Sequence, residues 1–232
     1  MNLINPPNLV INNRFNTQQA IHYQNEWSSL IRTEDIKTKI KTIAGLDIAY
    51  NVKNNQAFAI AVVIDAESFA VLEVTKATCP VEIPYRSGFL SFRELPSLAQ
   101  AIDKLTIKPD LIVCDGQGMA HPRRFGLACH LGLAYDIPTI GCGKSKLYGS
   151  HEHPGKNRGD FSYLYDNKEN IIGCVLRTRA QVNPVYISIG HKITLTAARE
   201  WILKLSPKYR IPETTRLADR LADEYKLASV VS

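Results

Sequence analysis

Three short apolar runs rich in β-branched residues follow one another with no helical stretch between them: Thr42 to Tyr50, Ala57 to Ile64 and Phe69 to Thr75. The turn-like VKNNQ and DAES separate them, so the trio reads as an antiparallel meander. The pattern then alternates. A mainly helical stretch from about Gly88 to Leu105, with Pro96 near the start of its second part, precedes the buried-strand pattern DLIVCDG. FGLACHLGLAYD returns to helical spacing and IPTIGCG to strand. A meander followed by strand, helix and strand predicts an α/β fold, a mixed β-sheet flanked by α-helices.

Beyond a polar loop at 150–160 come three strand-like runs near Phe161, Ile171 and Val185, then helices over about Leu195 to Leu205 and Thr214 to Leu227. Before the meander, about Asn16 to Arg32 is helix-forming and free of Pro and Gly, and INPPNLVINN is an extended lead-in. With 232 residues, 45% of them hydrophobic, one core suffices. Residues 1–232 are expected to form a single domain, with about 1–35 as a helical extension.

Lys and Arg number 28 against 22 Asp and Glu, a formal charge of +6 that suits a polyanionic partner without requiring one. The five cysteines are dispersed through apolar runs and form no Cys-x-x-Cys pair, so they read as reduced core thiols rather than zinc ligands. The N-terminal residues lack a signal-peptide pattern and no run reaches membrane-spanning length. A cytoplasmic monomer is the expectation.

Two carboxylates interrupt strand-like runs: Asp47 in IAGLDIAY and Asp115 at the end of LIVCDG. A carboxylate in a buried strand is costly unless paired or bound to a cation. Asp115 reads equally as the cap of an Asp-Gly turn, whereas the strand pattern continues past Asp47. Glu94, in GFLSFRELPSLAQ, reads alone as a solvated helical residue beside Arg93 and gains weight only with the other two. Hard oxygen ligands without clustered Cys or His suit Mg²⁺ or Mn²⁺, which in pairs hold the attacking water and leaving oxygen of a phosphodiester.

GLDIAY, PYRSGFLSFRELP, DGQGMAHPRRFGLACHLGL, GKSKLYG, PVYISIGHKITL and RIPETTRLAD occur in this order over roughly residues 40–220. In that ordered set the chain resembles the endonuclease V family of deoxyinosine 3′ endonucleases. The resemblance implies an RNase H-like fold and Mg²⁺-dependent hydrolysis of the second phosphodiester bond 3′ to hypoxanthine in DNA, with Mn²⁺ as a substitute. It carries over Asp47, Glu94 and Asp115 as metal ligands, with Asp219 as a further acidic position and Asp223 a weaker one. It also marks His121, suited to orient or deprotonate water, and Lys144, suited to developing phosphate charge. Read locally, His121 is as well a loop histidine on a backbone carbonyl and Lys144 a surface lysine.

The family's wedge loop falls on PYRSGF, where Tyr85 would fill the gap left by an extruded base. Arg86 and Ser87 depart from relatives that carry an apolar residue and a proline, and Arg86 is suited to a phosphate. Gly88, Gly116 and Gly118 are expected to let backbone approach the base. Lys146 and His191 are further candidate nucleic-acid contacts, and Lys156, Arg158, Arg123 and Arg124 candidate phosphate contacts. For Tyr85 and His191 a structural turn role stands beside the functional one. His151 and His153 read as an exposed loop rather than a metal pair. Inosine-containing RNA as substrate, or non-catalytic binding of deaminated nucleic acid, are the competing functions.

Overall fold

The computed structural model describes residues 2–34 and 39–231, so the expected end of the extension near residue 35 lies outside the described residues. The meander forms as expected from β3 (Thr42–Asn51), β4 (Gln56–Asp65) and β5 (Val71–Pro80), joined antiparallel. The third strand starts later and runs further than its sequence pattern. Asp65 Oδ1 accepts from the Glu67 and Ser68 amides at 3.1 and 2.8 Å, and Phe69 turns at φ 60°, which consumes the start of the run. Pairing with β4 then carries the strand on to Pro80 opposite Gln56.

β6 (Leu111–Cys114) adds parallel to β3, and β7 (Thr139–Gly143) parallel to β6. β8 (Phe161–Tyr165), β9 (Ile171–Leu176) and β10 (Val185–His191) complete the order β5-β4-β3-β6-β7-β10-β9-β8. The lead-in also holds a hairpin that its composition does not announce, β1 (Val10–Ile11) with β2 (Arg14–Phe15). Asn12 and Asn13 turn it at φ 49° and 59°, a left-handed pair that asparagine tolerates.

Helices cover both faces of the large sheet. α2 (Leu90–Ile102) and α3 (Leu127–Tyr135) pack Leu95, Leu98, Leu127 and Leu131 against Leu46, Ala61 and Ile112. Pro96 lies inside one continuous α2, not at a break between two parts. Burial of Leu95, Leu98 and Ala99 on the same helix outweighs the interior-proline penalty of about 3 kcal/mol. α4 (Leu195–Lys204) and α5 (Glu213–Val231) cover the opposite face, over Ile43, Ile60, Val113 and Ile187. Outside α2 and α3 lies α1 (Thr17–Ser28), capped by the Asn16 side chain on the Gln19 amide and anchored by Trp27 among Phe92, Phe125 and His130. The meander, the two parallel strands and the helical layers make this the α/β, RNase H-like fold.

α5 sits unusually close to β3. A Cβ added at Gly45 would lie 2.2 Å from the Thr214 carbonyl oxygen. Gly45→Ala is therefore expected to force the start of α5 off the sheet and lower stability by about 3 kcal/mol, the upper end for overpacking. Chemical denaturation measures it, with Gly116→Ala as control because its added Cβ meets Leu127 at an ordinary 3.5 Å.

Candidate active site

The parallel register sets Leu46 opposite Cys114, so Asp47 and Asp115 follow side by side on adjacent strands. β6 stops at Cys114 while β3 runs on to Asn51, and the sheet opens beside Asp47. Groups from both faces reach that gap. Glu94 comes from α2 and accepts the Tyr50 hydroxyl at 3.1 Å, Tyr50 itself lying under the Arg93 guanidinium. Asp219 comes from α5. Lys144 follows β7 and places Nζ 2.5 Å from Asp115 and 3.6 Å from Asp219. Asp223, one turn on, pairs instead with Lys226 at 3.0 Å.

Burial first, and then the charge of Asp115, push the Asp47 carboxyl up to about 7. Burial and the neighbouring Asp47 push Glu94 up to about 8, against the opposing pull of the Tyr50 hydrogen bond. Burial works against the Lys144 ammonium, but the Asp115 contact with Asp219 and Asp47 beyond it outweighs that and holds its pKa above the ordinary value. The cluster thus carries more negative charge than Lys144 balances. Its oxygen-only donors fit a hard divalent cation in kind. Among the described residues no three His, Cys, Asp or Glu side chains are drawn together as a closed ligand group. Lys144 stands on Asp115, and Tyr50 on Glu94, where a cation would bind.

Beside the carboxylates lies a cavity of about 370 Å³ whose wall includes Asp115, Lys144, Gly116, Lys146, Gly88 and Tyr85. Tyr85 is 67% exposed at the tip of its loop. Gly88 turns at φ +79°, and its carbonyl receives three donors: Gln24 Nε2 at 3.0 Å, His121 Nε2 at 3.0 Å and Arg123 Nη2 at 2.8 Å. The Arg123 amide donates to His121 Nδ1 at 3.1 Å, so the ring is the neutral Nε2–H tautomer. Burial, with Arg123 nearby, pushes its pKa down to about 4. Both ring nitrogens of His121 thus bond to backbone in this structure, which ties the ring to the loop that carries Tyr85 while it also lines the cavity.

Other expected contacts stand elsewhere. Gly118 leaves space for β10 rather than for a base: an added Cβ would lie 2.1 Å from the Ile189 carbonyl oxygen, and its amide donates to Ser188 Oγ at 2.8 Å. His191 is buried opposite Thr139, at the other end of β7 from Lys144. Its Nδ1 accepts from the Arg32 amide at 3.3 Å and its Nε2 lies 3.5 Å from Asp136, the work of a structural turn. Arg86 donates to Thr17 Oγ1 at 3.0 Å and lies over Phe15, tied to the N-terminal segment. Arg124 pairs with Asp166 at 2.5 Å, and Arg158 donates to the Leu203 carbonyl at 2.7 Å. Lys156 is exposed, as is His153, and His151 Nδ1 donates to the Glu152 carbonyl at 2.8 Å.

Several cavity residues went unread in the sequence. Among them, Ser91 Oγ and Gln117 Oε1 are buried without hydrogen-bond partners at the cavity wall. Gln117 lies in the DGQG motif, where Asp115 and the glycines drew notice. All five cysteines are free and buried, as their apolar settings implied. Among the described residues no helix is long and apolar enough to cross a membrane.

An RNase H-like sheet with carboxylates gathered where its parallel strands end is the arrangement of a phosphodiester-cleaving nuclease. Comparison with known proteins agrees. The sequence model of the endonuclease V family matches residues 25–220. The endonuclease V of Trichormus variabilis is 46% identical over 206 residues, 88% of this chain and 93% of its own length. The solved structure of endonuclease V from Streptomyces avermitilis superposes with a TM-score of 0.88 at 40% identity, covering 94% of this chain and 95% of that one. Ciona intestinalis endonuclease V, solved with a 24-mer DNA containing an inosine followed by a ribo-adenosine, shares the fold at 24% identity and a TM-score of 0.81, over 92% of this chain and 98% of that one. The chain belongs to the endonuclease V family and is an endonuclease.

The raised carboxyls make a cation-linked pH effect measurable. Folded Asp47 and Glu94 keep protons that the unfolded chain, with ordinary values of 3.8 and 4.5, has already released. Their contribution to ion-free stability is thus present at low pH and lost as pH rises through about 7 to 8. A divalent cation competes with those protons. Mg²⁺ or Mn²⁺ is expected to raise the melting temperature more near pH 8.5 than near pH 6, about the window these values define. Calorimetry on wild type and on Asp47→Asn with Glu94→Gln checks this: the double variant should show no pH-dependent gain.

Proposed function

We propose that this endonuclease acts on deaminated bases in DNA, hydrolysing the second phosphodiester bond 3′ to deoxyinosine and leaving 3′-hydroxyl and 5′-phosphate ends. The observation that carries the reading is the continuity of two sites: the cavity that can take an extruded base shares Asp115 and Lys144 with the carboxylate cluster. On this reading, a base held in the cavity leaves phosphates of its own strand beside those residues. The wall's partnerless Ser91 Oγ and Gln117 Oε1 suit a polar, ring-shaped occupant better than an apolar one.

Asp47, Glu94 and Asp115 would hold Mg²⁺, or Mn²⁺ in its place, with Asp219 at the edge of the group. Bound there, the ion supplies a more acidic water and charge neutralisation at phosphorus. The chain's own groups do the rest. Lys144, paired with Asp115 and Asp219 at the cavity wall, would offer its ammonium to a phosphate oxygen, and it keeps its proton because of the surrounding carboxylates. Tyr85, exposed on its loop, fills the gap in the base stack. Lys146 stands at the cavity mouth for the polyanionic strand.

Two measurements test the reading on a duplex with a single inosine and on its RNA counterpart. Asp47→Ala is expected to lower Mg²⁺-dependent nicking at least about a hundredfold; nicking equal to wild type would overturn the assignment. Tyr85→Ala is expected to weaken binding about 5- to 150-fold, since stacking on an aromatic ring contributes about 1–3 kcal/mol. That loss should appear with inosine-containing strands and be smaller with undamaged ones.

A further inference from the structure

One of the three donors on the Gly88 carbonyl comes from α1, just before residue 25 where the family match begins. Gln24 is 1% exposed, on the buried stripe Ala20, Gln24 and Trp27 of that helix. Its Nε2 donates to the Gly88 carbonyl at 3.0 Å and to the Phe125 carbonyl at 3.2 Å. Its Oε1 accepts from Arg123 Nε at 2.5 Å. Arg123 in turn donates from Nη2 to the same Gly88 carbonyl and lies 4.5 Å over the Phe89 ring. Gln24 also forms part of the cavity wall.

Docking of α1 does not need these bonds. Trp27 already packs against Phe92, Phe125 and His130, and stacks on Tyr23 at 4.6 Å. A buried amide in that apolar setting is costly unless every group is paired, and here every group is. What the pairing adds to is a loop: Gly88 stands at the base of the segment that carries exposed Tyr85, in a left-handed turn closed by the Phe89 amide on the Arg86 carbonyl at 3.0 Å, and the side chains tie that turn to the rest of the protein.

We propose that Gln24 is a positioning residue for base extrusion. With Arg123 it clamps the Gly88 carbonyl, holding Tyr85 and the adjoining cavity wall in the geometry that admits an extruded base. The inference rests on the reading of the cavity given under the proposed function. It makes the N-terminal helix part of the nucleic-acid site rather than an appendage to it.

Three variants test the clamp. Gln24→Met keeps the volume and removes every hydrogen bond. Gln24→Glu keeps the acceptor for Arg123 but offers no donor to Gly88 or Phe125. Gln24→Asn is a methylene short of Gly88 and is the mildest for folding. Each is compared with wild type on a duplex carrying one inosine beside 2-aminopurine, whose fluorescence rises when the stack opens. Binding and fluorescence are read without divalent cation, and cleavage is read in Mg²⁺. Folded variants are expected to raise KM for the inosine strand about tenfold, the loss of one to two net hydrogen bonds, with kcat changed less than about twofold. The fluorescence rise should fall in parallel. Variants that melt lower yet keep wild-type KM and fluorescence would reduce Gln24 to a structural role and overturn the inference alone. A wild type that shows neither inosine-dependent fluorescence nor inosine-dependent cleavage would overturn the base-extrusion reading and the clamp with it.

Discussion

The parallel pairing of β3 with β6 brings two carboxylates to adjacent positions at the end of a buried strand pair, Asp47 after Leu46 and Asp115 after Cys114. Burial first, and then the neighbouring charge of Asp115, raise the cost of ionising Asp47, which is why its carboxyl rises to about 7. The neighbouring elements enlarge that cluster and partly balance it. α2 brings Glu94, which the Tyr50 hydroxyl of β3 holds, the end of β7 brings the cation Lys144, and α5 brings Asp219 close enough to share the ammonium. α5 reaches its place only because Gly45 has no side chain to hold Thr214 away. A close approach of two backbones thus sets an electrostatic contact.

The two halves of the site are held by different physics. The carboxylate half stands on the sheet and on two long helices, so its geometry is tied to the core. The cavity half is made of loops, 84–89 and 144–147, whose backbones lack ladder partners. Side chains reach over to each from elsewhere: Gln24 from α1, with His121 and Arg123 from the loop before α3, to the Gly88 carbonyl of the first, and Gln117 and Arg210 to the Ser145 and Lys144 carbonyls of the second. Arginines that sequence reading offers to phosphate are largely spent on this internal support. Arg123 holds Gly88, Arg124 holds Asp166 and Arg158 holds the end of α4, which leaves Lys144 and Lys146 as the cations at the cavity.

Much of the architecture was legible because the core follows simple periodicities. The meander, the parallel strands and α3 to α5 were readable from β-branched runs and helical spacing. The hairpin at Asn12 and Asn13 was not, since it depends on two left-handed asparagines rather than on a pattern of apolar residues. At the site, Asp47 was visible as a charge inside a strand, and Glu94 and Lys144 only through ordered motifs. Motif order says nothing about which end of a strand a residue occupies. His191 follows an apolar strand just as Lys144 does, yet β10 runs antiparallel to β7 and delivers it to the far end of the sheet. Gly118 shared a motif with Gly116, yet Gly118 faces the Ile189 carbonyl of β10 where Gly116 faces Leu127 of α3.

Gln24 marks where sequence reading stops for a physical reason. Its buried stripe, with Ala20 and Trp27, follows the i, i+4, i+7 pattern of any core-facing helix, and a lone glutamine in that stripe signals a polar partner. What the partner is depends on a carbonyl 64 residues away, presented by a glycine whose φ no pattern in the chain encodes. The same remoteness gives the residue its leverage. A carbonyl has two lone pairs, so three donors share them on Gly88. Under the proposed clamp the three together hold the loop, so the half of the site that is not continuous with the sheet takes its geometry from α1 and from the loop before α3.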